Sequence, residues 1–397
     1  MKKKILFIMP SMFIGGAERS LLGLLESIDY EQYDVSLFLY RHEGEFLSYI
    51  PQKVTLLPPI KEYETFDVPI SSLLFSRKWI FGICRLLSKV AVKMHCLLSG
   101  EKHGVWMSMQ YISKFLLPLL PEIPGQYDLA VMFLGVPDSL IHRVNAQKKI
   151  TWCHTDYDTL YPDKAMDRKA YQAMDHIIFV SNSCRDKIFN FYPELFEKAL
   201  VIENILAEKL LRQQAAERAA DMVSIDEEYV LLSIGRFSHA KNFDNVPDIC
   251  RRLVSDSLSI KWFLIGYGGD EMLIRQKILE SKMQDHVFIL GKKENPYPYI
   301  KRCDLYVQPS RYEGKCVTVR EAQMLGKPVV ITRYATSTSQ LEDGVDGVIV
   351  PMDNEGCAAG IAALLREPAR MARLSQACKS RDYSNREEVK KLYQIVG

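Results

Sequence analysis

The feature that most limits what this chain can become is a repeated alternation. Short apolar runs, each followed by a stretch of helical composition, recur in two series separated by a polar interval. In the first series Ile5–Met9, Val35–Tyr40, Leu129–Leu134, Lys149–Cys153 and Ile177–Ser181 read as strands buried on both faces, the pattern of a parallel sheet covered by helices. The second series is Tyr229–Ile234, Lys261–Ile265, Val287–Leu290, Leu305–Gln308, Val329–Thr332 and Val348–Val350. Between them the stretch Glu208–Met222 is rich in Ala, Arg, Gln and Glu. An α/β chain of two doubly wound, Rossmann-like domains follows, facing a central cleft at the carboxyl ends of the strands, where such sheets take ligands. The expected division is 1–205, 206–225 as a linker, 226–380, and a C-terminal helix over 381–397 that returns to the first domain. A length of 397 residues suits two domains better than one core.

Composition removes several classes of function. Net charge is +2, so no global field points to nucleic acid. The nine cysteines include no C-x-x-C pair and no matching histidines, which leaves zinc and dithiol redox chemistry without support. Lys2-Lys3-Lys4 precedes an apolar run that passes straight into a Gly-Gly turn, so it reads as a first strand rather than an export signal. No stretch of 18 uncharged apolar residues is present. A cytoplasmic protein is expected, with peripheral contact on the inner face of the membrane as a further expectation. That second expectation rests on an insertion at about 70–120, rich in Leu, Ile, Phe, Trp and Met, which holds seven Lys/Arg against one acid, Glu101. There Arg85, Lys89 and Lys93 fall at i, i+4 and i+8, one stripe on a helix. Two readings remain open for about 77–98: docking to an anionic membrane, or packing on the first domain with the stripe in water.

Four loops at strand ends carry candidate chemistry. Pro309-Ser310-Arg311-Tyr312-Glu313-Gly314-Lys315-Cys316-Val317 follows Leu305–Gln308 and leads into a helix carrying Glu321. Two carboxylates at this spacing can reach one site, where each accepts two hydroxyls of a diol. The backbone N–H groups of Gly314, Lys315, Cys316 and Val317 would sit at a helix N-terminus, which suits phosphate. Gly235-Arg236 and Lys241 follow Tyr229–Ile234 and place a guanidinium and an ammonium where a diphosphate would lie. Gly15 and Gly16 lie in the loop after the first strand and allow close backbone approach, though the dinucleotide G-x-G-x-x-G is absent. His154 closes Lys149–Cys153, while Cys153 points to the opposite face and is set aside as a nucleophile.

These motifs, with Asn295-Pro296-Tyr297-Pro298-Tyr299, Gly326-Lys327-Pro328-Val329-Val330 and Gly344-Val345-Asp346-Gly347, occur in an order that resembles glycosyltransferase family 4, of the GT-B fold. The resemblance spans most of the chain and is poorest at about 43–125. It implies a retaining glycosyltransferase of the bacterial surface-polysaccharide type. Such an enzyme moves a hexose or N-acetylhexosamine from a nucleotide diphosphate, UDP favoured, to a glycan or polyprenyl-diphosphate-linked acceptor. It further implies that Glu321 holds the donor ribose, that Glu313 contacts the transferred sugar, and that His154 lies near its reacting face. Arg236 and Lys241 would stabilise the leaving diphosphate, with Gly15, Gly16 and the amides after Glu313 close to its oxygens. Neither metal nor cofactor is implied. Asp156-Tyr157-Asp158 has the look of the D-x-D metal clamp of a different transferase fold, which the second half of this chain does not suit. Asn242 stands where a glycine commonly follows the lysine, and Lys315-Cys316 replaces a commoner small or apolar pair. The rivals are a UDP-sugar epimerase of similar fold and a non-catalytic GT-B partner protein. The latter is expected to have lost its charged donor-site residues, whereas Arg236, Lys241, Glu313 and Glu321 are all present.

Overall fold

A computed structural model describes residues 2–155, 157, 160–219, 221–222, 229–313 and 316–397. They form two compact units, Met1–Ala207 with Asn385–Gly397, and Glu208–Ser384.

The first unit is built on a parallel sheet of β1 (Lys3–Met9), β2 (Tyr33–Leu39), β3 (Thr55–Leu56), β4 (Ile123–Met132), β5 (Val144–Cys153), β6 (His176–Phe179) and β7 (Ala199–Val201). Their order is β3-β2-β1-β4-β5-β6-β7. Ile5 through Met9 are fully buried, as a central strand covered on both faces requires. The chain runs outward from β1 to β3 and then returns past β1 to β4. That reversal opens a crevice beyond the carboxyl ends of β1 and β4. The two-residue β3 and the three-residue β7 were not among the strands read from the sequence.

Between β3 and β4 lie the helices Trp79–Ser99 and Val105–Leu116. Val92 of the first packs on Met107 and Tyr111 of the second. Both are tied to the helix Lys164–Gln172 by two acids. Asp163 caps that helix, accepting from the amides of Ala165 and Met166, and also receives the Tyr111 hydroxyl at 3.0 Å. Asp167, 1% exposed, receives Tyr157 at 2.6 Å, Gln110 at 2.7 Å and the Trp106 indole at 3.0 Å. The basic stripe read from the sequence is not continuous. Arg85 turns inward and donates to the carbonyls of Thr65 and Val68, because helix Trp79–Ser99 presents that side to the preceding loop. Lys89 and Lys93 are exposed. Among the described residues no helix is long and apolar enough to cross a membrane.

The C-terminal helix Val389–Val396 belongs to this unit: Tyr393 stacks on Tyr33 at 4.5 Å, and Lys148 donates to the carbonyl of Ile395.

The second unit repeats the plan with β8 (Tyr229–Ile234), β9 (Ile260–Ile265), β10 (Val287–Gly291), β11 (Leu305–Gln308), β12 (Val329–Thr332) and β13 (Val348–Val350), in the order β10-β9-β8-β11-β12-β13. Its reversal falls between β8 and β11. Trp262, fully buried on β9, donates its indole N–H to Ser233 of β8, whose hydroxyl donates to Val307 of β11. The helix Glu208–Gln214 groups with this unit instead of standing free as a linker, since Asn295 donates to the Gln214 carbonyl. Arg381 also stays here, paired with Asp346 and Glu342, so the C-terminal return starts later than 381.

Candidate functional site

The carboxyl edge of the second sheet concentrates the charged residues. β8 ends at Ile234, and Gly235 carries the chain into the loop that bears Arg236 and Lys241. A Cβ on Gly235 would lie 3.2 Å from Lys241 Cε, so the lysine stem runs back across that glycine toward the sheet. From the neighbouring β11, Pro309 to Glu313 turn upward and meet it. Lys241 Nζ lies 2.5 Å from Glu313 Oε1, with the side chains 19% and 11% exposed. The same oxygen receives Ser310 Oγ at 2.6 Å and Gln308 Nε2 at 3.3 Å. Glu313 thus accepts from the lysine ammonium and from two neutral donors.

The two loops are joined elsewhere as well. Arg311 forks onto Asp244 at 2.9 and 2.8 Å, and its amide donates to the Ala240 carbonyl. Asn242 has φ +60°, is 1% exposed, and donates to the Pro309 carbonyl at 2.8 Å. Its departure from glycine therefore has a physical reason. The left-handed backbone tolerates Asn better than most residues, and the amide adds a bond between the loops. From the other side, the loop after β9 presses close: a Cβ on Gly266 would sit 1.9 Å from the Gly235 carbonyl oxygen, and one on Gly268 2.2 Å from that of Phe237. Both have φ near +155°, open only to glycine.

Glu321, on the helix Val317–Met324, is 4% exposed and receives the Tyr297 hydroxyl at 2.7 Å. Between Glu321 and the Lys241–Glu313 pair lies Tyr306, whose hydroxyl is 2.8 Å from both Gln308 Oε1 and Thr318 Oγ1. Burial pushes that phenol well up, and the negative charge of Glu321 adds to the effect. Cys316 is also buried, which raises its thiol, with Lys241 pulling the other way. Its amide is not open to phosphate, because it donates to Gln340 at 2.8 Å. Val317 remains, at the first helical position and exposed. Arg236 is exposed and its side chain makes no hydrogen bond or ion pair among the described residues. Gly314, Lys315, Asp156 and Asp158 lie outside the described residues. Gln308, Ser310, Tyr306 and Asp244 were not singled out in the sequence. Ser310 stood inside the quoted motif, and only its reach to Glu313 reveals its part.

The first unit has its own edge residues. Gly15 precedes the helix Gly16–Ser27, and a Cβ there would fall 2.1 Å from a carboxylate oxygen of Glu18. Glycine at 15 thus answers to an internal contact, while Gly16 faces open space. His154, mostly buried, lies 3.0 Å by Nε2 from the Phe133 carbonyl, against the Phe133 ring and parallel to Trp152. A nitrogen facing a carbonyl must donate, so Nε2 carries the proton and Nδ1 is the acceptor. Burial lowers its pKa to about 4, so it is neutral at physiological pH. Among the described residues no group of three or more His, Cys, Asp or Glu side chains could hold a metal ion.

Two parallel sheets, each with its reversal at the first strand, and a charged edge on the second define an α/β protein of the GT-B fold. Residues 215–381, which cover most of the second unit, match the model of the family described as glycosyl transferases group 1. The amylovoran biosynthesis glycosyltransferase AmsK of Erwinia amylovora is 29% identical over 34% of this chain and 34% of its own length. An N-acetylgalactosaminyltransferase of Campylobacter jejuni, named for an N-acetylgalactosamine-N,N'-diacetylbacillosaminyl-diphospho-undecaprenol, is 27% identical over 41% of each chain. The match thus spans well under half the length of these relatives. Over nearly the whole chain, 99% of each, the fold is similar to Anabaena HepE in complex with UDP and glucose, with TM-score 0.60 and 17% identity.

Proposed function

We propose that the chain is a glycosyltransferase of polysaccharide biosynthesis, transferring a hexose or N-acetylhexosamine from a nucleotide diphosphate, UDP favoured, with retention. The acceptor in this reading is a glycan or a polyprenyl-diphosphate-linked saccharide. The observation that carries it is the Lys241–Glu313 pair at the reversal of the second sheet, with Arg236 exposed on the same loop and unpaired among the described residues. Support comes from the glycosyl transferases group 1 model that residues 215–381 match and from relatives named for amylovoran and diphospho-undecaprenol chemistry.

Breaking the bond between sugar and diphosphate puts negative charge on the phosphates and oxocarbenium character on the sugar. A preorganised cation near the phosphates favours that state over the ground state. In the proposed site Lys241 and Arg236 meet the diphosphate, assisted by the amide of Val317 at the helix start. Glu313 orients Lys241 and faces the transferred sugar, and Glu321 accepts from the ribose hydroxyls. His154, neutral, offers Nδ1 to a hydroxyl and does not donate a proton at neutral pH. Gly16 leaves room for a ligand at the edge of the first sheet.

The test incubates the purified chain with nucleotide sugars and a glycan acceptor and follows products by NMR. Expected are free UDP and a glycoside with the donor's anomeric configuration. Inverted configuration overturns retention. Altered sugar and free nucleotide without acceptor indicate an epimerase, and donor binding without turnover on any acceptor indicates a non-catalytic partner.

A further inference from the structure

We infer that the first unit docks on an anionic lipid bilayer through the outer face of the helix Trp79–Ser99. Ile80, Ile83, Leu87, Val90, Met94 and Leu97 recur at steps of three and four, so they form one stripe along this 21-residue helix. All six are exposed, from 39% at Ile83 to 78% at Leu97. The opposite side, with Gly82, Ser88 and Val92, is the one buried against the unit. Single exposed apolar residues are ordinary, but a continuous stripe over about 25 Å is not. Phe75, shortly before the helix, is 93% exposed as well.

Charge selects the occupant. Arg77, Lys89, Lys93 and Lys102 are exposed and in no ion pair among the described residues. The single acid of the segment, Glu101, already faces His95 at 3.0 Å and Lys164 at 3.7 Å. A second copy of this chain on the same face would bring these cations against their own kind. Lipid phosphates would neutralise them while the acyl region covers the stripe, which is the arrangement of a helix lying in the plane of the interface. Arg85, held by the Thr65 and Val68 carbonyls, takes no part.

The full chain is floated with vesicles of phosphatidylcholine alone or mixed with phosphatidylglycerol. Binding is expected to the mixed vesicles only, weakened about fivefold by each of Lys89→Gln and Lys93→Gln, and abolished by Val90→Asp with Met94→Asp. Trp79 emission should shift to the blue on binding, and the shift should vanish in Trp79→Phe. Equal binding to both vesicle types, or binding untouched by the paired Asp substitutions, overturns the inference. So does a concentration-dependent dimer that those substitutions dissolve, since the face then seats a second copy. If the paired variant fails to fold, the two lysine variants decide the matter. Thermal stabilisation by donor, read on the same variants, should stay at the wild-type level, so failure of docking and failure of the transferase reading are distinguishable.

Discussion

Replacing Lys241 by Ala separates the pairing this side chain makes from the catalytic role proposed for it. In the resting protein it is the charged donor to Glu313 at 2.5 Å, in a pair only 19% and 11% exposed. A charge-assisted bond of this kind is worth about 1.5–3 kcal/mol, and Glu313 keeps Ser310 and Gln308 as donors, so the loss of stability should fall toward the lower figure. The melting temperature then drops by a few degrees, which leaves the protein folded at assay temperature. Catalysis suffers more. Removing one preorganised donor from a developing anion costs on the order of 2.7–4 kcal/mol of barrier, so kcat should fall about 10²–10³-fold. The assay measures nucleotide release at saturating donor and acceptor, beside a thermal melt of the same sample. Because the charge on the diphosphate grows in the transition state, kcat should fall further than the donor KM rises. A folded variant whose kcat stays within about threefold of wild type refutes the assignment. A rise in KM alone would leave Lys241 a ground-state binder and remove it from the chemistry.

Asn242→Ala should lose about 2–4 kcal/mol in urea unfolding, since alanine both strains the φ of +60° and leaves the Pro309 carbonyl unpaired; Asn242→Gly should lose about 1 kcal/mol less, and an alanine variant as stable as the glycine one contradicts this. Two groups of the first unit, His154 and Asp167, should oppose each other in the pH dependence of stability. His154 has a folded pKa lowered to about 4 by burial, so the unfolded chain binds its proton first and stability falls as pH drops from about 6.5 toward 4. Asp167 has a folded pKa raised to about 6, also by burial, so stability falls as pH rises from about 4 to 6. Urea midpoints across pH 4–7 should therefore steepen upward with pH in Asp167→Asn and downward in His154→Gln, whereas parallel profiles for both variants would refute the opposition. In the rate profile, no inflection near pH 6.5 should disappear in His154→Gln.

Much of the frame was readable because parallel strands buried on both faces leave a continuous apolar run. Tyr229–Ile234, Leu305–Gln308, Val329–Thr332 and Val348–Val350 have in the fold the same bounds as in the sequence pattern. The edge strands β3 and β7 were missed, whereas the equally short edge strand Val348–Val350 was found. At the candidate site the residue types spoke and the pairings did not. Lys241 and Glu313 are 72 positions apart, and nothing in either loop names the other. Nor could the pattern separate a glycine kept for a ligand from one kept for a neighbour: Gly15 yields to Glu18, while Gly16 faces open space. Arg85 shows the same limit on a helix, because spacing gives the face but not which of three cations finds backbone carbonyls to hold. The apolar stripe of Trp79–Ser99 is legible only once the opposite side is seen to be buried.

The account depends most on a nucleotide diphosphate binding at the edge that holds Arg236, Lys241, Glu313 and Glu321. Titration calorimetry of the full chain with UDP, repeated on Arg236→Ala and on Glu321→Gln, tests this directly. The account predicts saturable binding to the wild type, weakened in both variants while their melting curves still show a folded protein. Binding of equal strength in all three, or none in the folded wild type with UDP or any other nucleoside diphosphate, would contradict it.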